Sequence, residues 1–136
     1  MNPGKYIFET LRNNGAVSSA FGTRFRPEIN NVGGTLRLPC LVYSVNSNEP
    51  TNTKGATGAS DLDTVNVTIS IFQDNYEDLV SNGAAVRAAL DYTVGSGAYA
   101  EIQHVSFQGE GYEFDESHKP RGLYILNQSY QFRIKR

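Results

Sequence analysis

The sequence contains little cysteine and histidine and no tryptophan, and these absences exclude several functions. Its 136 residues include one cysteine and two histidines. The single cysteine, Cys40, excludes an internal disulfide. Neither His104 nor His118 has a histidine partner four residues away, so the pair that binds zinc on a helix is missing. The sequence therefore predicts no metal site, no cofactor and no disulfide-stabilised scaffold.

Long hydrophobic runs are also missing. No apolar stretch approaches the roughly 20 residues that a membrane-spanning helix needs. The first ten residues, MNPGKYIFET, lack the unbroken apolar segment of a secretory signal. Hydrophobic residues make up 39% and charged residues 19% of the chain, which is typical of a globular protein. We expect a single domain over residues 1–136 and no membrane partner.

The net charge is only −2, but the charges are unevenly distributed along the chain. Residues 1–37 carry +3, and residues 38–73 carry −2. Residues 74–116 carry −8, and residues 117–136 carry +5. This segregation fits three arrangements: neutralisation within one fold, a nucleic-acid-binding patch, or a subunit whose copies bind one another.

Two segments have helical periodicity. At the N-terminus, Asn2 is placed to cap a helix and Pro3 suits its first position, with apolar residues following at helical spacing. A second helix is predicted over residues 75–92, where the apolar stripe consists of Tyr76, Leu79, Val80, Val86 and Leu90.

Alternating apolar and polar residues predict strands, most clearly over residues 61–73. Further strands are predicted over residues 23–29, 38–45, 99–108 and 122–136. Pro27 indicates that the first of these lies at a sheet edge or is bulged, because proline cannot donate to the ladder. The predicted fold is α+β: a mostly antiparallel sheet of four to five strands with two helices packed on one face.

Two segments without such a pattern are expected to be loops. Residues 46–60 contain no aromatic and no large aliphatic residue, so they predict a long mobile loop. Residues 109–120 are predicted to form an acidic loop. Long loops in compact domains often have functional roles.

Candidate catalytic groups do not converge in this sequence, which predicts that the protein is not an enzyme. Cys40 is expected to be a small buried hydrophobe, and His104 lies alone in a predicted strand. A nucleic-acid-binding platform is disfavoured because Arg133 and Lys135 have the opposite strand parity to Tyr130 and Phe132.

The order of the elements and several local stretches resemble a known family. The stretches are YIFETL near the N-terminus, LPCLVY over residues 38–43, the strand that passes into NYEDL at residues 75–79, and AAVRAALD over residues 84–91. With the long final strand, they make the chain similar to the tail-completion, or tail-terminator, proteins of long-tailed bacteriophages.

The resemblance implies a structural role in the virion. Such proteins form a ring, commonly of six subunits, at the head-proximal end of the tail tube. The ring terminates tube polymerisation, joins the tail to the head and lets DNA pass without gripping it. The implied partners are other copies of the chain, the major tail tube protein and a head-connector or neck protein. Assembly would occur in the cytoplasm of the bacterial host.

Two alternatives remain open at this point. One is a neck or head-closure protein on the connector side, and the other is a small nucleic-acid-binding domain. For an assembly role, the complementary charges of the −8 and +5 segments suggest contacts between copies. The candidate interface residues lie in the predicted mobile loop and at the basic terminus: Glu49, Pro50, Lys54, Arg133, Lys135 and Arg136.

Overall fold

The computed structural model describes residues 3–21, 25–27, 40–51, 62–73, 75–115 and 123–135. The α-helices are α1 (Gly4–Asn13), α2 (Gly15–Phe21) and α3 (Tyr76–Leu90), and a short 3-10 helix spans Gly97–Tyr99. The strands are β1 (Phe25–Pro27), β2 (Cys40–Thr51), β3 (Leu62–Gln73), β4 (Ile102–Asp115) and β5 (Leu123–Lys135).

The five strands form one sheet in the order β1-β2-β3-β5-β4. Strand β1 pairs with β2 in parallel, and the other three pairings are antiparallel. The α+β class and the mostly antiparallel sheet are therefore as predicted. Strand β1 lies at the sheet edge, as its proline indicated.

The main core lies between one face of the sheet and the helices, and we call this side of the sheet the helix face. Alternate residues of β3, such as Val65 and Ile69, are completely buried there. Side chains of all three helices belong to the same cluster, including Leu11, Phe21 and Val86. A strand whose alternate residues all enter a core has a fixed register, because a one-residue slip would expose every one of them.

Helix α2 was not expected as a helix. The residues Asn13, Asn14 and Gly15 predict only the end of the first helix, but Asn14 also begins the next one. Its Oδ1 accepts a hydrogen bond from the backbone N–H of Val17 at 3.1 Å. This contact is a typical N-cap. Pro3 stands at the N-cap of α1 rather than in its first turn, and Asn2 lies outside the described residues.

Helix α3 begins at a strong cap and packs very closely on the sheet. The side chain of Asn75 accepts hydrogen bonds from the backbone N–H groups of Glu77 and Asp78. Gly83 approaches β5 so closely that a Cβ atom there would collide with the side chain of Leu126. The predicted membership of the apolar stripe was partly wrong, because Tyr76 and Val80 are exposed and the helix buries Gly83 and Ala89 instead.

Strand β2 is longer than predicted, so the first part of the expected 46–60 loop is a strand. Residues 46–51 continue β2 along β3 after a register shift between Val45 and Ser47. Their polar side chains bond laterally, since Asn66 Nδ2 donates to Ser47 Oγ at 2.8 Å. Ser47 and Glu49 lie on the face away from the helices, and the segment is held by its backbone pairing with β3, so strand formation here needs no apolar alternation. Residues 52–60 lie outside the described part of the chain.

Strand β4 also exceeds its prediction, and the expected acidic loop is a strand as far as Asp115. This part of β4 pairs with β5 as far as Leu123. Phe114 and Tyr124 are cross-strand partners. The centroids of their rings lie 4.7 Å apart, and this contact supports the pairing. Residues 116–120 lie outside the described residues.

Candidate assembly surfaces

The sheet face opposite the helices, here called the open face, has a polar centre without charged residues. Its central side chains belong to serine, threonine, asparagine and glutamine on four neighbouring strands: Ser44, Asn46, Ser47, Asn66, Thr68, Ser70, Ser106, Asn127, Ser129 and Gln131. Some bond to each other across strands. Ser70 Oγ donates to Asn127 Oδ1 at 2.7 Å, for example. The centre of the open face is therefore an ordered polar surface.

The structure brings two predicted interface residues into one row across this face. Glu49 pairs with Thr64, Thr64 pairs with Arg133, and Arg133 pairs with His104. Two strand spacings separate Glu49 from Arg133, or about 10 Å between Cα atoms. Both side chains are exposed. Their common row had no signal in the sequence, because it depends on the pairing register.

The other predicted interface residues are less closely grouped. Lys135 is exposed two residues after Arg133, on the same face of β5. Pro50 is part of β2, where it is the register partner of Asp63. Lys54 and Arg136 lie outside the described residues. Of the six predicted residues, the structure thus places Glu49, Arg133 and Lys135 at one end of the open face.

Tyr92 extends this end of the open face beyond the sheet. Its aromatic ring lies 5.8 Å from that of His104, and 77% of the residue is exposed. Its φ of 61° lies in the left-handed region, which is unusual for a bulky residue. We call the group Tyr92, His104, Arg133 and Lys135 the basic end. The prediction that aromatics and bases lie on opposite faces holds within β5, but not once Tyr92 is included.

A second surface, which sequence reasoning missed, lies at the opposite end of the sheet. It consists of four aromatic residues and is here called the aromatic corner: Tyr76, Tyr112, Phe114 and Tyr124. The ring of Tyr76 lies 5.7 Å from that of Tyr112 and 5.8 Å from that of Tyr124. Tyr76 is 50% exposed, Tyr112 45% and Phe114 53%. The available signal was the alternation of Tyr112 and Phe114 inside the segment interpreted as a loop.

Acidic side chains border the aromatic corner. Glu110 precedes it on β4, and Glu77 and Asp78 follow Tyr76 in the first turn of α3. Partial burial, followed by the charge of Glu110 and the neighbouring Tyr76, raises the pKa of the Tyr112 phenol. This corner is therefore both apolar and negatively charged at its border.

Beside the corner, the outer edge of β4 has no partner among the described residues over half of its length. The first half is covered by the chain after α3: the Tyr92 N–H donates to the Val105 carbonyl at 2.8 Å, and the Gly95 N–H donates to the Ile102 carbonyl at 2.9 Å. Over residues 109–115, no described segment makes such hydrogen bonds. This stretch of backbone is available for pairing with another chain.

A buried polar cluster lies beneath the aromatic corner. Gln128 is fully buried on the helix face and donates from Nε2 to the Gly83 carbonyl at 3.0 Å and to Glu110 at 3.2 Å. The Tyr130 hydroxyl donates to Gln128 Oε1 at 2.9 Å. Burial, with the charge of Asp91, raises the pKa of Tyr130. Every member has a partner, so the cluster connects β5, α3 and β4 instead of presenting a free reactive group.

The residues considered for chemistry are separated from one another. Cys40 is buried in a small apolar cluster with Val42, Phe72 and Leu123. His104 lies near Tyr92 at the basic end, and His118 is outside the described residues. Within the described ranges, no three metal-binding side chains are grouped, and no helix is long and apolar enough to cross a membrane.

Comparison with known proteins now identifies the family. No curated protein matches the chain. Its fold is similar to that of a chain in the solved structure "Virion of native gene transfer agent (GTA) particle", with a TM-score of 0.69 and 15% sequence identity. The similarity covers 96% of this chain and 92% of that one. The family described as "Tail completion protein gp17" matches residues 5–119, and this chain therefore belongs to it.

Proposed function

We propose that this protein forms a ring at the head-proximal end of the phage tail tube, where it terminates tube polymerisation and joins the tail to the head. The observation that carries the proposal is the family match over residues 5–119. Members of this family are structural phage proteins rather than enzymes, and the similarity to a chain of a virion particle supports a place in an assembled particle.

The geometry is compatible with a subunit that contacts different neighbours through different surfaces. A closed ring needs two unlike patches on each copy. The two edge strands of the sheet, β1 and β4, differ from one another. Its two ends also differ, since one is the basic end and the other is the aromatic corner with its acidic border. We propose that Glu49, Pro50, Lys54, Arg133, Lys135 and Arg136 contribute to assembly.

The proposal includes passage of DNA through the ring without specific binding. Affinity for DNA comes mainly from cations that neutralise phosphates and release counterions. The centre of the open face carries no charged side chain, and the chain has a net charge of −2. A lumen lined with such a surface would let DNA slide. The partners would be the tail tube protein and a head-connector protein, with assembly in the host cytoplasm.

One observation favours a nucleic-acid-binding domain as the second candidate. The basic end combines Arg133 and Lys135 with the exposed ring of Tyr92 and with His104. Aromatic stacking beside cations is the usual way to hold single strands. Salt-dependent retention of DNA that is lost in Arg133→Glu would favour this candidate over the ring.

The experiment that tests the proposal measures assembly directly. The purified protein is analysed by light scattering and electron microscopy, alone and with tail tubes, and it is located by labelling in complete virions. We expect rings with a mass several times the 15.0 kDa of the chain, and a label where the tail meets the head. A label on the connector side of the neck would favour a head-closure protein. A protein that stays monomeric even beside tail tubes would contradict the proposal.

A further inference from the structure

The aromatic corner and the basic end lie at opposite ends of the same sheet. We propose that the aromatic corner of one copy binds the basic end of the next copy, and that this contact joins the subunits of the ring. The inference rests on the proposed ring and adds the two surfaces that close it.

The aromatic corner has the composition of an interface centre. Tyr76, Tyr112 and Phe114 expose about half of their surfaces side by side. Exposed tyrosine and phenylalanine in one contiguous group are enriched where proteins bind one another, and isolated exposed apolar residues are not informative. The open edge of β4 over residues 109–115 lies along the same corner and adds free backbone donors and acceptors.

The charges bordering the corner lack cationic partners within the described part of the chain. The acidic residues are Glu77, Asp78 and Glu110, together with Glu113, which stands between Tyr112 and Phe114 and lies on the other side of β4. All four are exposed, and none forms an ion pair with a described residue; the Arg87–Asp91 pair lies elsewhere, at the C-terminal end of α3. A partner that buries the aromatic rings and presents cations to this border would satisfy both features.

The basic end presents the complementary chemistry. Arg133 and Lys135 are exposed and form no ion pair with a described residue. Tyr92 adds an exposed aromatic ring held in a strained backbone conformation, and such strain is often kept where a side chain has a functional position. Arginine and tyrosine are the residues that most often dominate the energy of protein interfaces.

The two surfaces cannot meet within one molecule. Tyr124 at the corner and Arg133 at the basic end are nine residues apart on β5, which corresponds to about 30 Å of extended strand. No side chain spans that distance. Because the surfaces are unlike and lie at opposite ends, their contact is head-to-tail, and repeating it gives a ring when the rotation closes. A second copy of this chain is therefore the occupant that the charges and the geometry favour.

Two variants test the contact. The corner variant carries Tyr112→Ser and Phe114→Ser, and the basic-end variant carries Arg133→Glu and Lys135→Glu. All four positions are exposed, so the substitutions should leave the core intact. Thermal unfolding verifies that each variant folds. The matched control, Lys5→Glu with Arg12→Glu, makes the same change of charge at exposed positions of α1.

We expect each variant to fall from the mass of the ring to 15.0 kDa in light scattering, while the control keeps the ring. An equimolar mixture of the two variants should give dimers and no rings, because only one intact corner and one intact basic end can meet. Combining Arg133→Glu and Lys135→Glu with Glu77→Lys and Glu113→Lys should restore rings, since the attraction is reversed rather than removed. This last variant also covers the case in which the serine substitutions reduce stability.

The outcomes separate the inference from the proposed function. If the wild-type protein forms rings and both variants still form them, the inference is wrong and the ring stands. The same holds if the corner variant forms rings but no longer binds tail tubes, because the corner would then bind the tube protein. If the basic-end variant keeps its rings and loses only DNA retention, the basic end binds nucleic acid and the inference is also wrong. A wild-type protein that never forms rings contradicts both.

Discussion

The two faces of the sheet show how differently burial and exposure constrain a sequence. On β5, Leu126, Phe132 and Ile134 point into the helix layer and are completely buried. The residues between them, such as Ser129 and Gln131, are polar and lie on the open face. The helix face fixes the register, because every apolar side chain must find its place in the core. The polar centre of the open face has no such constraint, so its residues are free to serve binding, whereas Val42, Phe72 and Leu123 on the same face are buried in a small apolar cluster.

The largest expected effect comes from neighbouring positions on opposite faces. Phe132→Ala should lower the free energy of unfolding by about 4 kcal/mol, because it removes a fully buried aromatic ring and leaves a cavity. Gln131→Ala, one residue away on the open face, should change it by no more than about 0.5 kcal/mol. Urea denaturation of both variants measures the difference. Similar losses at the two positions would mean that the polar centre of the open face is also packed as a core.

A smaller effect should distinguish the hydrogen bonds of the two faces. Gln128→Ala leaves the Tyr130 hydroxyl and the Gly83 carbonyl without their buried partner, so it should lower the free energy of unfolding by about 2 kcal/mol. Asn127→Ala removes the bond to Ser70 on the open face, where water can replace it, and should cost about 0.5 kcal/mol.

The buried cluster also predicts non-additivity. The cost of Gln128→Ala should be smaller in a Tyr130→Phe background, because the hydroxyl that it would leave unpaired is already gone. A double-mutant cycle by chemical denaturation measures this coupling. Fully additive costs would show that the two side chains do not stabilise one another.

The smallest effect is a pH dependence in the helix layer. Tyr99 donates to Glu9 Oε2 at 2.5 Å, and this hydrogen bond, with some burial and the charge of Glu9, raises the pKa of Tyr99 to about 12. The folded protein therefore holds the phenolic proton more tightly than the unfolded chain does, whose tyrosine titrates near 10. The stability from this group is complete below pH 10 and is lost as the pH rises towards 12.

A difference measurement isolates that contribution. The difference in unfolding free energy between wild type and Tyr99→Phe should shrink between pH 10 and pH 12. Lysine titration affects both proteins alike, so it cancels in this difference. Glu9→Gln keeps a hydrogen-bond acceptor without the charge, so the difference in unfolding free energy between this variant and wild type should also decrease over the same pH range. Parallel stability curves for wild type and Tyr99→Phe would show that the hydrogen bond does not hold the proton.

The elements that face the core could be predicted from the sequence. Strand β3 is confirmed because its valines and isoleucines alternate without interruption, and β5 because four of its core residues share one parity. Helix α3 is confirmed by its periodicity and by the cap at Asn75. In each case the periodic spacing of apolar residues was sufficient to predict the element, because those apolar residues form its buried side.

The elements with a weak or hidden local pattern were underestimated. The second half of β2 has no large apolar residue, and its pairing depends on β3 lying beside it, which no local pattern shows. Residues 109–115 were interpreted as a loop because their acidic residues hid the alternation of Tyr112 and Phe114. Helix α2 was missed because Asn14 ends one helix and caps the next.

The candidate surfaces could be predicted only in part. The basic character of Arg133 and Lys135 was evident from charge, but their row with Glu49 depends on register. The aromatic corner could not be predicted, because Tyr76 meets Tyr112 only after α3 is folded over the sheet. A surface built from three separate elements has no periodicity of its own.

The segment that covers the first half of the β4 edge limits how this protein can associate with itself. An unprotected strand of 14 residues is a template on which identical chains stack without end. The hydrogen bonds from Tyr92 and Gly95 close the first part of that template, and among the described residues no segment pairs with the outer edge over 109–115. Uncontrolled fibre growth is thereby disfavoured at the high subunit concentrations of particle production, while one short region remains for a specific contact.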